Sequence, residues 1–124
     1  MEFYICKHCG NIIGFAKNTG VSVYCCGEEM TKLVPNTVEA SQEKHIPQVE
    51  VNGNKVKVTV GSTLHPMEEA HHIAWVAMET EQGNQRKVMK VDSEPVIEFA
   101  ICDGDRVKNV YAYCNLHGLW KQEM

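Results

Sequence analysis

Between residues 47 and 60 the chain alternates strictly between apolar and polar positions. Pro47-Gln48-Val49-Glu50-Val51 leads into Asn52-Gly53-Asn54, and Lys55-Val56-Lys57-Val58-Thr59-Val60 follows. A period of two on both sides of an Asn-Gly turn predicts a β-hairpin with one face buried. Gly61-Ser62 ends the pattern. Ile73 to Met78 is nearly continuous in apolar residues and reads as a buried strand, with Glu81 to Gln85 as its turn and Arg86 to Val91 as its partner. Val96 to Cys102 and Val107 to Tyr113 read as a further pair across Asp103-Gly104-Asp105. Only Pro66-Met67-Glu68-Glu69 looks like a short helical turn. Short strands at this spacing predict an antiparallel β-sandwich.

The first third is patterned differently. The β-prone runs Ile12-Ile13 and Val21-Ser22-Val23-Tyr24 are short, and Gly20 marks a turn between them. Pro35 to Gln42 has no apolar period and marks the boundary, so the chain divides into a module over 1–36 and a body over 37–124.

Composition narrows the function. The chain has 124 residues, 44% of them apolar, and a net charge of -4. No basic run stands out, which excludes a general affinity for nucleic acid phosphates. No apolar run approaches the roughly 20 residues that span a bilayer, and the first residues lack the basic flank and apolar core of a signal peptide. The expectation is a cytoplasmic protein. In a reducing cytosol, six cysteines bind metal or do redox chemistry more often than they form disulfides.

Four of the six lie in the first module. Cys6-Lys7-His8-Cys9 is a C-x-x-C chelate followed by Gly10, and Cys25-Cys26 is followed by Gly27. So small a module has little apolar area to bury, whereas a structural metal can supply about 10–16 kcal/mol. Cys6, Cys9, Cys25 and Cys26 therefore read as a tetrahedral four-thiolate site, which suits zinc or iron. Adjacent cysteines bridge each other only with strain. With four thiolates in place, His8 is expected to face solvent.

The body carries a second set: His45 in Glu43-Lys44-His45-Ile46-Pro47, His65 and His71 in His65-Pro66-Met67-Glu68-Glu69-Ala70-His71, and Cys114 and His117 in Cys114-Asn115-Leu116-His117-Gly118. All five fall at strand ends or in loops, where a sandwich gathers functional groups. Five donors overfill a tetrahedral zinc site and suit a six-coordinate ion with one open position. That points to iron acting on a small molecule. His72 would point opposite to His71 in an extended segment and reads as a bystander. Cys102, inside a predicted strand, reads as core packing. Imidazoles must be neutral to ligate, so acid below roughly pH 6 is expected to weaken this site.

In order and spacing, Cys6-x-x-Cys9, Cys25-Cys26, Glu43-Lys44-His45-Ile46-Pro47, His65 to His71 and Cys114 to Gly118 resemble the desulfoferrodoxins, the two-iron superoxide reductases. The resemblance covers essentially the whole chain. It implies a mainly β protein, with a small desulforedoxin-like knob followed by an immunoglobulin-like sandwich. It implies two iron ions: Fe(Cys)4 on Cys6, Cys9, Cys25 and Cys26, and Fe(His)4(Cys) on His45, His65, His71, His117 and Cys114, the thiolate axial and opposite the open position. It implies one-electron reduction of superoxide to hydrogen peroxide, which detoxifies reactive oxygen in an anaerobe-type cytosol. Rubredoxin or a similar protein is the implied electron donor, and a homodimer the implied assembly. Glu43 and Lys44 fall on the family's mobile catalytic loop, Glu43 as the residue that takes the open position after oxidation and Lys44 as a positive charge there. Two other classes compete: a structural zinc ribbon joined to a protein-interaction module, and a pure electron carrier that uses only the four-thiolate iron.

Overall fold

The computed structural model describes residues 1–124 and parts into two compact units, Met1–Val34 and Pro35–Met124. In the first unit, β1 (Phe3–Ile5) pairs with β2 (Ile12–Gly14) on one side and β5 (Thr31–Lys32) on the other. A separate two-residue ribbon joins β3 (Tyr24–Cys25) to β4 (Glu28–Glu29), with Cys25 opposite Glu28. Its two turn residues, Cys26 and Gly27, have φ of 54° and 76°. A tight hairpin with two central residues at positive φ matches the right-handed twist of its strands, so the turn forces Cys26 into a conformation that side chains rarely adopt. Of the run Val21–Tyr24, only Tyr24 is in a strand. Val21 and Val23 lie in irregular chain, because Val23 uses its carbonyl to accept from the Met30 amide beyond the ribbon.

In the second unit, β6 (Pro47–Asn52), β7 (Lys55–Val60) and β10 (Val96–Ala100) form one antiparallel sheet in the order β10-β7-β6. The strands β8 (Ile73–Thr80), β9 (Asn84–Val88), β11 (Val107–Cys114) and β12 (Gly118–Glu123) form the other, in the order β12-β11-β8-β9. The β6–β7 hairpin has the alternation its sequence predicts. Val56, Val58 and Val60 are fully buried while Lys55 and Lys57 face outward. Gly53, at φ 61°, takes the first central turn position. The three valines meet Ile73, Val76 and Met78 of β8, Phe99 of β10, and Val110, Ala112 and Cys114 of β11 in one core. Where the two sheets come edge to edge, Gln85 and Lys87 of β9 reach the carbonyls of Ala100 and Glu98 on β10, at 2.7 and 2.6 Å.

Four expectations are corrected. The strands β10 and β11 do not pair with each other: β10 joins β7, and the turn after it carries the chain to the other sheet. The reason is β12, which the alternation did not reveal. It forms a hairpin with β11 on one side while β8 holds the other, so β11 has no free edge. Second, residues 66–69 are not helical. Glu68 and His71 exchange both backbone hydrogen bonds, at 3.0 and 3.1 Å, and that bridge uses the groups a helical turn would need. The one helix is α1 (Gln42–His45), which starts at the last residue of the expected linker. Its early Glu43 and late Lys44 suit the helix dipole. Third, Cys102 lies beyond the end of β10 and is exposed, so it is not core packing. Fourth, the strand placed at 86–91 runs from Asn84 to Val88. No helix is long and apolar enough to cross a membrane.

Candidate metal centres

In the first unit the four cysteine sulfurs lie within 4.8 Å of one another. The chain turns at Cys6-Lys7-His8-Cys9 because the Gly10 amide donates to the Cys6 carbonyl at 2.9 Å and the Cys6 amide donates to the Asn11 carbonyl at 2.8 Å. Gly10 has φ 84°, a conformation open to glycine without cost. The Cys9 amide is thereby aimed at the Cys6 sulfur, 3.4 Å away. The β3–β4 turn presents Cys25 and Cys26 from the other side. The Cys9–Cys25 and Cys25–Cys26 sulfur separations are 3.6 and 4.0 Å. A tetrahedron with metal–sulfur bonds of about 2.3 Å has edges of about 3.8 Å, whereas a disulfide needs about 2.05 Å. All six cysteines are free.

The thiols are unequal. Amide donation from Cys9 holds Cys6 down to about 6, and hydrogen bonding to the Cys9 sulfur pushes Cys26 up to about 12. Four sulfurs this close do not all ionise without a cation among them, and a divalent metal is that cation. His8 is exposed and outside the cluster.

The second centre is assembled from three segments of the body. His45 ends α1, His65 and His71 bracket the loop between β7 and β8, and Cys114 and His117 flank the β11–β12 turn. Donor atoms of His45, His65, His71 and Cys114 all lie within 4.8 Å of one another. His117 joins them through Nδ1, 3.2 Å from His45 Nε2 and 3.9 Å from the Cys114 sulfur. His45, His65 and Cys114 are at most 2% exposed, so three of the five donors are shut off from water.

Which ring atom faces the centre follows from hydrogen bonds on the far side. His45 Nδ1 donates to the Ser41 carbonyl at 2.6 Å, and His65 Nδ1 donates to the Pro66 carbonyl at 2.7 Å. In the neutral rings each Nε2 then carries a lone pair, and those two nitrogens stand 3.2 Å apart. Two lone pairs facing each other are not a hydrogen bond. His71 Nε2 is buried and has no hydrogen-bond partner at all. A buried orphan acceptor costs about 1–3 kcal/mol, and a shared cation would satisfy all of these nitrogens together. The donor set therefore fits a metal. Burial also holds the rings neutral: desolvation lowers His45 and His71 and pushes His65 down to about 4. Burial raises the Cys114 thiol, against the pull of the Leu116 and His117 amides.

Two residues that received no role from the sequence hold this geometry. Trp120, 1% exposed, stacks on the His45 ring at 4.7 Å and donates its indole N–H to the His117 carbonyl at 3.1 Å. Asn115 ties the β11–β12 turn to the His71 segment: its side chain donates to the Ala70 carbonyl at 3.0 Å and accepts the His72 amide at 2.9 Å. Position supplied the only sequence signal, since Asn115 follows a ligand and Trp120 lies three residues beyond one. His72 turns its Nδ1 to the Glu68 and Glu69 carbonyls, both at 3.0 Å, and stays out of the cluster. Glu43 and Lys44 are exposed on α1, next to His45. The Lys44 charge is among those that depress His45 and His71.

The desulfoferrodoxin family model matches residues 37–123. The chain is 43% identical over 122 residues to a desulfoferrodoxin of Nitratidesulfovibrio vulgaris, covering 98% of this chain and 95% of the relative. It is 36% identical to a desulfoferrodoxin of Clostridium acetobutylicum over 100% of this chain and 97% of the relative. The crystal structure of the superoxide reductase from Treponema pallidum superposes with a TM-score of 0.83 at 41% identity, covering 98% of both chains. A one-iron superoxide reductase from Giardia intestinalis gives 0.56 at 35% identity over 66% of this chain and 97% of that one.

Proposed function

The chain belongs to the desulfoferrodoxin family, and on that footing we propose that it is a superoxide reductase, an oxidoreductase with superoxide as the electron acceptor. The observation that carries the reading is the convergence of His45, His65, His71, Cys114 and His117, with the buried His71 Nε2 left unpartnered by protein. Superoxide takes up one electron and two protons and leaves as hydrogen peroxide, and no dioxygen forms. When bound, ferrous iron at the His4Cys site supplies that electron.

The protein's own residues do the rest. His45, His65, His71 and His117 would hold the iron as neutral imidazoles, and their depressed affinity for protons keeps the first three available in mild acid. Cys114, forced toward its neutral form by burial, would ionise against the metal and leave the centre with a net charge near +1. That charge suits an anionic substrate. Lys44 adds a second positive charge beside His45, which matters because the chain carries a net charge of -4. Local steering can lift association to about 10⁸–10⁹ M⁻¹s⁻¹ against an unfavourable overall charge. Glu43, exposed on α1 two residues before His45, would supply a carboxylate to the oxidised iron. Being exposed, the loop lets water deliver the protons that release peroxide.

The module over 1–36 serves as an accessory electron store, and the body over 37–124 carries the reaction. Cys6, Cys9, Cys25 and Cys26 would hold its iron, and the exposure of Cys9 and Cys26 supports electron entry there. The donor is a rubredoxin-like protein. The working form is a homodimer, a reading supported by the exposed Val21 and Tyr24 of the first unit. The compartment is the cytoplasm, in keeping with six free cysteines. Pulse radiolysis of the reduced protein tests the reaction. One peroxide per superoxide consumed, with no dioxygen, is expected. Dioxygen evolution, or a colourless zinc protein without activity, would overturn it.

A further inference from the structure

The helix α1 has four residues and no side-chain cap on its first amides. A single turn does not persist alone in water, because nucleation fixes several dihedrals for one hydrogen bond. Yet it carries Glu43, Lys44 and His45 in succession. What seats it is the turn just after β7. The Glu43 carbonyl accepts from the Thr63 amide at 3.0 Å and from the Ser62 hydroxyl at 3.2 Å. Gly61 lies beneath. A Cβ there would stand 2.5 Å from the Glu43 oxygen, 2.9 Å from the Ile46 oxygen and 3.1 Å from the Lys44 carbonyl carbon. All three neighbours are backbone, so none can swing aside. The same turn is closed by Gly61 N–H to Thr63 O at 3.2 Å, and the His65 amide returns to the Val60 carbonyl at 2.8 Å.

We infer that Gly61, Ser62 and Thr63 form a shelf that registers the Glu43–Lys44 loop against His65, with Gly61 and Ser62 as positioning residues for the reaction. The bare glycine sets how closely α1 approaches, and the Ser62 hydroxyl fixes its height through the Glu43 carbonyl. The loop backbone is thereby held by protein contacts, independently of any ion. This inference rests on the reading of Glu43 and Lys44 given above.

The test uses the full-length, iron-loaded protein and the variants Ser62→Ala, Ser62→Thr and Gly61→Ala. Hydrogen exchange reads the amides of Lys44 and Ile46, which donate to Ser41 and Gln42 within the loop. Loss of one hydrogen bond predicts exchange roughly 2- to 12-fold faster in Ser62→Ala. Amides of β8 and β11 should not change, and Ser62→Thr, which keeps the hydroxyl, should restore the wild-type rate. Gly61→Ala should exchange faster still and flatten the salt dependence of superoxide capture, as is expected of Lys44→Ala. If Gly61→Ala instead sheds its body iron while β8 and β11 stay protected, the displacement of His45 supports the shelf as well. Wild-type exchange at Lys44 and Ile46 in both Ser62→Ala and Gly61→Ala overturns it. An unaltered salt slope in Lys44→Ala would overturn the role of Lys44 and leave the exchange result to decide the shelf.

Discussion

Acid should unfold the body along a window that His65 defines. Its ring is 2% exposed, and burial pushes it down to about 4 from 6.5. In the unfolded chain the same imidazole binds a proton near 6.5. Between those values the unfolded state takes up a proton that the folded state refuses, so stability falls as pH falls through the window. Above about 6.5 the contribution is complete, and below about 4 this group adds no further slope. The gap, at about 1.36 kcal/mol per pH unit, is worth about 3 kcal/mol. His45 and His71 are shifted in the same direction and steepen the loss. Urea unfolding of the full-length protein, stripped of the body metal by a chelator, measures it. Both tryptophans, Trp75 and Trp120, lie in the body, so their fluorescence reports that unit alone. His65→Asn should remove about 3 kcal/mol of the difference between pH 7 and pH 4. A His65→Asn protein with the wild-type pH dependence would refute the reasoning. Among these rings, His65 resists protonation down to about 4.

Three further outcomes follow from the same geometry. Lys44→Ala should slow capture of superoxide at low salt and flatten its dependence on ionic strength, as pulse radiolysis at two salt concentrations would record. Cys6→Ser should abolish iron binding in the first unit, visible as loss of its thiolate absorption, while pre-reduced protein still consumes superoxide at nearly the wild-type rate. Trp120→Phe keeps a ring against His45 but loses the 3.1 Å bond to the His117 carbonyl. Body iron should then be lost to a chelator about fivefold more readily, for about 1 kcal/mol; Trp120→Leu, which loses the stack too, should lose it faster.

Legibility followed the range of the interaction. The 47–60 hairpin was readable because period two and a turn glycine are local signals. The four-cysteine site was readable because two short chelates announce it. The pairing of β10 was not, because it depends on β12 taking the edge of β11, an event between segments far apart in sequence. The helix at Gln42–His45 was missed for a related reason: its seat is Gly61–Thr63, about twenty residues on, and although Gln, Glu and Lys favour helix, a single turn is too short to show a period of its own. Cys102 looked apolar by type, but its exposure was set by where β10 stops. His45, His65, His71, Cys114 and His117 were gathered by donor type and by their places at strand ends and in loops, and the family resemblance then implied the same five as ligands. Asn115 and Trp120 stayed silent because their work is done through backbone carbonyls and ring stacking, which no spacing encodes.

The central claim is that donors from three separated segments surround one iron. X-ray absorption at the iron edge of the Cys6→Ser protein, in which only the body centre holds iron, tests it most directly. The account predicts a first shell of four imidazole nitrogens and one sulfur, from His45, His65, His71, His117 and Cys114. A shell of oxygens and nitrogens without sulfur would contradict it.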